Sequence, residues 1–267
     1  MGIDLVVTDL DGTLWDTEGA LHPRTEAALD TLAERGVPLL VATGRRAGAA
    51  RRALGKVGLA PPAVLLNGSL GIHLATGDRF HLGGFETDAA QRVLAAFEAN
   101  GVDPCLYVEG EAPAVFVSDT PSTHPEHLAS FGDSVRTASL ADVVAAERIL
   151  AFGVLGIERD VGEAVVASVG DVATTHLDVD RHYGGGWLSV APRGDSKWDG
   201  VVAFCGRHGL DASRVLAIGD GANDVRMLMS AAVAVAPSDA HPDALGVADH
   251  VVAPAADGGW AELLDLL

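Results

Sequence analysis

The stretch VVTDLDGTLWD, residues 6 to 16, sets Asp9 and Asp11 directly behind an apolar run and follows them with Gly12 and Thr13. Two carboxylates so close repel each other, and a buried charge is costly unless something compensates it. A divalent cation would do so, and hard carboxylate oxygens with waters suit Mg²⁺. The same groups can also carry chemistry. A carboxylate such as Asp9 can attack a phosphoryl group and form an aspartyl phosphate. Asp11 faces the same side by strand periodicity, placed to protonate a leaving alkoxide and later take a proton from water. Gly12 allows a sharp turn whose N–H groups can hold phosphate oxygens.

Three more polar clusters fit that chemistry: ATGR (42–45), RGDSKWDG (193–200) and GDGAND (219–224). Asp220 complements Asp9 as an oxygen ligand, and Thr43 supplies a hydroxyl donor. Lys197 is one of only two lysines, the other being Lys56, in a chain whose remaining cations are arginines. A compact ammonium can bind a phosphoryl oxygen where a planar guanidinium does not fit. Lys197 also opens a predicted helix, where the macrodipole disfavours a cation, so its presence points beyond the helix. Asn223 can donate to phosphate and Asp224 can hold metal-bound water. Taken singly, each cluster reads as a turn, a helix cap or a solvated lysine. Their joint placement at strand ends favours the functional reading.

The elements that must position these residues are strands and helices in alternation. Short β-rich runs at 3–9, 37–43 and 63–67 predict strands, separated by helices over 23–36 and 45–58. Pro23 suits a first helical position and Gly36 a C-terminal cap. The rhythm resumes with a helix at 197–209, a strand at 214–220, a helix at 223–231 and a strand at 232–236. A helix near 240–246, a strand at 250–253 and a closing helix from Trp260 complete it. Such repetition implies a parallel sheet with right-handed crossovers, whose ligand crevice lies at the carboxyl ends of the strands. The fold class expected is therefore α/β, a Rossmann-like parallel sheet core.

Residues 83–189 read differently, as an α+β insert between the halves of that sheet. Helices are expected at 87–101, 139–147 and 159–170, with strand-like runs at 104–108, 114–118, 149–157, 171–179 and 186–192. STHPEH (122–127) reads as loop. RHYGGGW (181–187) reads as a hairpin turn, with lining of a substrate face as the alternative. The expected organisation is a core of 1–82 and 190–267 and an inserted domain of 83–189 that would cover the sheet's carboxyl edge.

Composition narrows the function classes. The formal charge is −19, which would repel a phosphate backbone and so argues against nucleic acid as a general partner. It also means that a small anionic substrate needs local cations. Two cysteines cannot build a disulfide framework. No apolar stretch reaches the roughly 18 residues of a membrane span. A strand beginning at Ile3 leaves no room for a signal peptide, and Val6 breaks the myristoylation pattern. The expectation is a soluble, cytoplasmic protein without a membrane partner.

Together, DLDGT, ATGR, Lys197 in RGDSKWDG, and GDGAND resemble the four motifs of the haloacid dehalogenase superfamily of phosphohydrolases. The position and α+β pattern of the insert are similar to the Cof-type group with its C2B cap, as is LLNGSLGI after the third strand. The resemblance implies Asp9 as nucleophile, Asp11 as general acid/base, and phosphate held by Thr43, Gly44, Lys197 and Asn223. It implies Mg²⁺ on Asp9, Asp220 and Asp224, with the backbone carbonyl of Asp11. Trp198, where glycine is common, and VAPSDAHPDA (235–244) depart from the group's pattern and bear on substrate fit. The function implied is Mg²⁺-dependent hydrolysis of small phosphomonoesters, sugar phosphates foremost, by a monomer or homodimer. A phosphomutase or phosphotransferase of the phosphomannomutase type is the alternative.

Overall fold

The computed structural model describes residues 2–110, 112, 114–179 and 184–267. These form two compact units, one combining the chain up to Leu82 with Ser196–Leu267, the other Gly83–Asp195. Arg181, His182 and Tyr183 of RHYGGGW lie outside the described residues.

In the first unit, β1 (Leu5–Thr8), α1 (Pro23–Glu34), β2 (Leu39–Ala42), α2 (Ala47–Lys56) and β3 (Pro62–Leu65) alternate as the hydrophobic runs predict. All four residues of β1 are buried, which is why its sequence is apolar without alternation. Helix α1 starts at Pro23, and the His22 ring accepts the Arg24 N–H at 3.1 Å. It buries Thr25, Ala28, Leu29 and Leu32, a helical spacing. Two further strands, β4 (Leu70–His73) and β5 (Arg79–Leu82), form an antiparallel hairpin that the sequence does not announce. Their residues do not alternate cleanly, and Gly71 replaces a side chain where Phe80 packs, its Cβ position lying 2.3 Å from that ring.

The second unit is an α+β layer. Its elements are α3 (Thr87–Ala99), β6 (Cys105–Val108), β7 (Val115–Val117), α4 (Pro125–Ala129), β8 (Val135–Thr137), α5 (Leu140–Ala146), β9 (Ile149–Ile157), α6 (Arg159–Val169), β10 (Ala173–Val179) and β11 (Gly186–Pro192). The sheet order is β10-β11-β9-β6-β7-β8, antiparallel except for β7 with β8. Phe97, Phe152, Val165 and Leu188 lie in its core. Helix α4 falls in the stretch that reads as loop: it has five residues, none buried, and so no hydrophobic period. The expected boundary at 189/190 would cut β11, whereas the unit retains that strand whole and ends at Asp195.

The first unit resumes with α7 (Lys197–His208), β12 (Val215–Ile218), α8 (Val225–Ser230), β13 (Val233–Pro237), α9 (Pro242–Leu245) and β14 (His250–Val252). The expected closing helix is the 3₁₀-helix Gly259–Asp265. Its sheet runs β14-β13-β12-β1-β2-β3-β4-β5, with parallel pairing from β14 to β3, so the Rossmann-like parallel core stands as expected. Among the described residues, no helix is long and apolar enough to cross a membrane.

β1 occupies the middle of this sheet. The Asp9 N–H donates to Ile218 O at 3.0 Å, which carries the pairing with β12 one residue past the end of β1. Asp9 and the 219–224 loop therefore leave the sheet side by side. Trp260 secures this end of β1: its indole N–H donates to Thr8 Oγ1 at 3.1 Å, and that hydroxyl donates to Asp9 O at 2.7 Å. Trp260 is fully buried. Replacing it with alanine should remove about 3–5 kcal/mol of stability. The measurement is a denaturant titration, with a lower midpoint at unchanged slope expected.

Candidate active site

Lys197 begins α7 and is 0% exposed. Its ammonium donates to Asp9 Oδ1 at 2.9 Å and to Asp224 Oδ1 at 2.7 Å. Tight packing places it there. A Cβ on Gly200 would lie 2.5 Å from a Val64 methyl, so α7 lies hard against β3. Gly68, at φ +121°, lets the loop after β3 rest on the Ser196 backbone, where a Cβ would lie 2.2 Å from the Ser196 carbonyl oxygen. Asp199 caps the helix start by accepting from the Ser196 N–H at 2.8 Å and its hydroxyl at 2.7 Å.

Electrostatics tie these groups together. Burial works against the Lys197 ammonium, but Asp224 and Asp9 outweigh it and hold the group above its ordinary pKa. Burial also pushes Asp9 well above the ordinary 3.8; Lys197 opposes this, while Asp224, Asp220 and Asp11 add to it. Asp220 is pushed up to about 6 by burial and by Asp224, against the Thr13 hydrogen bond and Lys197. That bond runs from Thr13 Oγ1 to Asp220 Oδ1 at 2.9 Å.

Oxygens of Asp9, Asp220 and Asp224 lie within 4.8 Å of one another. With all three ionised and one ammonium beside them, this cluster keeps a surplus of two negative charges. The donor set is all oxygen and the surplus is two charges, which is the chemistry of a hard divalent cation. The residues present therefore fit such an ion. Asp224 is the most committed of the three, since its Oδ2 also accepts the Gly221 N–H at 2.9 Å. Gly12, at φ +78°, makes room for the cluster: a Cβ there would stand 2.5 Å from Asp220 Oδ2.

Asp11, placed among the expected metal-binding residues, has its side chain outside this trio. Its two oxygens accept from Arg45 Nη2 and Nε, both at 2.6 Å, and Oδ1 also accepts from Trp15 Nε1 at 2.9 Å. Burial raises the Asp11 pKa, but the Arg45 hydrogen bonds and charge overcome that and leave the carboxyl below the usual range. Arg45 and Trp15 carry no assigned role in the sequence reading. ATGR contains the first, yet nothing local says which carboxylate its guanidinium will meet.

The other expected phosphate ligands form a neighbouring chain of contacts. Thr43 Oγ1 accepts from the Arg45 N–H at 3.2 Å across Gly44, and Thr43 O accepts from the Asn67 N–H at 3.2 Å. Asn223 Nδ2 donates to Asn67 Oδ1 at 3.0 Å. Leu66 and Asn67 adopt left-handed backbone, with φ 51° and 56°. For leucine this costs on the order of 1–2 kcal/mol. The strained bend brings Asn67 between the loops that carry Thr43 and Asn223. Nothing in LLNGSLGI itself marks Asn67 for this contact.

A sequence profile of the haloacid dehalogenase-like hydrolases matches residues 6–264. The chain belongs to that family. Solved structures share its fold, the inserted unit included. It superimposes with TM-score 0.77 on the haloacid dehalogenase subclass IIB sugar phosphatase BT4131, at 22% identity over 98% of both chains. A haloacid dehalogenase-like hydrolase from B. subtilis gives TM-score 0.81 at 19% identity, covering 99% of this chain and 100% of that one. Among curated relatives, phosphoglycolate phosphatase of Methanopyrus kandleri is 27% identical over 93% of this chain and 90% of its own. Pyridoxal phosphate phosphatase YbhA of Escherichia coli is 24% identical over 88% of each. The chloroplastic endoribonuclease YBEY of Arabidopsis thaliana is 25% identical over 92% of this chain, which spans only 43% of that larger protein.

The acidic trio of this hydrolase makes its stability depend on pH. A carboxyl whose folded pKa exceeds its unfolded value stabilises the fold when protonated. For Asp220 that contribution is full below 3.8 and lost as pH rises through about 6. In chelator the melting temperature should therefore fall across that window, more for wild type than for Asp220→Asn. Added Mg²⁺ should raise it more at pH 7.5 than at pH 5. Differential scanning calorimetry of both proteins measures this, and identical pH profiles would contradict the assigned charge cluster.

Proposed function

We propose that this hydrolase cleaves the phosphomonoesters of small metabolites, sugar phosphates foremost, through an aspartyl phosphate on Asp9. The observation that carries the reading is the buried contact of Lys197 with Asp9 and Asp224, with Asp220 completing an oxygen cluster beside it. Phosphoryl transfer needs positioning and positive charge far more than covalent machinery. Lys197, Thr43, Gly44 and Asn223 are the residues assigned to the phosphoryl group.

In the first step an Asp9 carboxylate oxygen attacks phosphorus, the bond to the substrate oxygen breaks, and Asp11 gives its proton to the departing alkoxide. In the second, Asp11 takes a proton from water as that water attacks phosphorus and releases the Asp9 carboxylate. Arg45 favours the ionised Asp11 that the second step requires. The charge of an arriving phosphate monoester favours the protonated form that the first requires. Asp9, Asp220 and Asp224, with the Asp11 carbonyl, are the groups assigned to Mg²⁺, which when bound offsets the charge of the phosphoryl oxygens and of the carboxylates themselves. The Gly83–Asp195 unit is assigned to substrate selection. Small phosphorylated metabolites as substrates suit a cytoplasmic enzyme.

The test is phosphate release across a panel of phosphorylated metabolites, with Mg²⁺ and with chelator. Wild type should turn over only with metal, and Asp9→Asn should lose on the order of 10⁴-fold or more in kcat. Near-normal release by Asp9→Asn would refute the nucleophile, and transfer to a second sugar in place of release would indicate a mutase.

A further inference from the structure

We propose that Arg45 is the positioning residue for Asp11, and that with Trp15 it decides how well this enzyme expels poor leaving groups. The proposal rests on the acid/base reading of Asp11 given above. Its basis is a clamp of three N–H donors supplied by two residues. Arg45 Nε and Nη2 meet the two Asp11 oxygens at 2.6 Å each, a paired geometry that a planar guanidinium provides and an ammonium does not. Trp15 Nε1 meets Oδ1 at 2.9 Å from the other side. With both oxygens engaged, the carboxylate cannot turn without losing hydrogen bonds.

Both jaws of the clamp are themselves anchored. Trp15 is 1% exposed, its carbonyl accepts the Gly12 N–H at 2.9 Å, and its N–H donates to Leu10 O at 3.2 Å. The indole is thus fixed by the same turn that carries Asp11. The carbonyl of Arg45 accepts the Leu66 N–H at 3.1 Å, which ties it to the left-handed bend after β3. Arg45 Cζ lies 5.9 Å from the Trp15 ring centroid, a cation–π distance. Lys197 contacts Asp9 and Asp224, whereas the ion pair to Asp11 comes from Arg45.

The consequence depends on the leaving group. A sugar alkoxide is too basic to depart without a proton, whereas p-nitrophenolate is a stable anion and needs little help. A misplaced Asp11 should therefore slow an alkyl phosphate far more than p-nitrophenyl phosphate.

The experiment compares kcat and KM on the best alkyl phosphate and on p-nitrophenyl phosphate for wild type, Asp11→Asn, Arg45→Met, Arg45→Lys and the Asp11→Asn/Arg45→Met double variant. Asp11→Asn should lose about 10²–10⁴-fold in kcat on the alkyl substrate and far less on the aryl one. Arg45→Met should show the same selective loss with KM nearly unchanged. The double variant should be no slower than Asp11→Asn, and Arg45→Lys should recover only part of the loss. Trp15→Phe, which removes the indole N–H but keeps an aromatic ring in the core, should give a smaller loss in the same direction. Equal losses on both substrates, multiplying losses in the double variant, or a gain on the alkyl phosphate would overturn the proposal. If Asp11→Asn itself shows no leaving-group dependence, the acid/base reading falls and this proposal with it. An activity-independent check is the ¹⁵N-resolved signals of Arg45 Nε–H and Trp15 Nε1–H. Asp11→Asn should shift both, and unmoved signals would refute the clamp.

Discussion

The Lys197 ammonium sits between Asp9 and Asp224, at 2.9 and 2.7 Å, with no exposure to water. It lies 188 residues from the first partner and 27 from the second, so it joins the start of the chain to its final third. Such an arrangement is stable only as a whole. Removing one partner from a buried, paired charge costs about 3–5 kcal/mol, because the others remain buried and uncompensated. The helix start, the end of β1 and the loop after β12 are therefore mutually dependent. The dipole penalty on a cation at the first turn of α7 is small beside the attraction of two buried carboxylates.

Backbone approach makes that pairing possible. Gly12, Gly68 and Gly200 each stand where a methyl group would overlap Asp220, Ser196 or Val64. The left-handed Leu66–Asn67 bend adds local strain, offset by hydrogen bonds that reach Thr43 and Asn223. The site is thus assembled from several strand-end loops pressed together, and no single segment holds it. That is the general position for a ligand crevice in an open α/β sheet.

Charge is distributed unevenly within the site. Asp9, Asp220 and Asp224 share one ammonium, which leaves a surplus that suits a divalent cation. Asp11 is ion-paired with Arg45. Two carboxylates one residue apart therefore reside in opposite environments: burial and its neighbours push Asp9 up, while Arg45 holds Asp11 down.

Much of this was legible in the amino-acid order. Apolar runs of four or five residues separated by amphipathic helices specify a parallel sheet, because both faces of each strand must be covered. The motifs DLDGT, ATGR and GDGAND stand at strand ends, and family membership follows from them. The β4–β5 hairpin and helix α4 were not legible, since neither carries a clean hydrophobic period. The partners of individual side chains were not legible either. Nothing near position 45 indicates that its guanidinium will close on Asp11, nor near position 67 that its amide will meet Asn223. Periodicity is a property of neighbours along the chain, so the sequence by itself determined the elements and the chemical types at their ends. Which charge meets which depends on loops brought together across the sheet, and only the tertiary structure decided that.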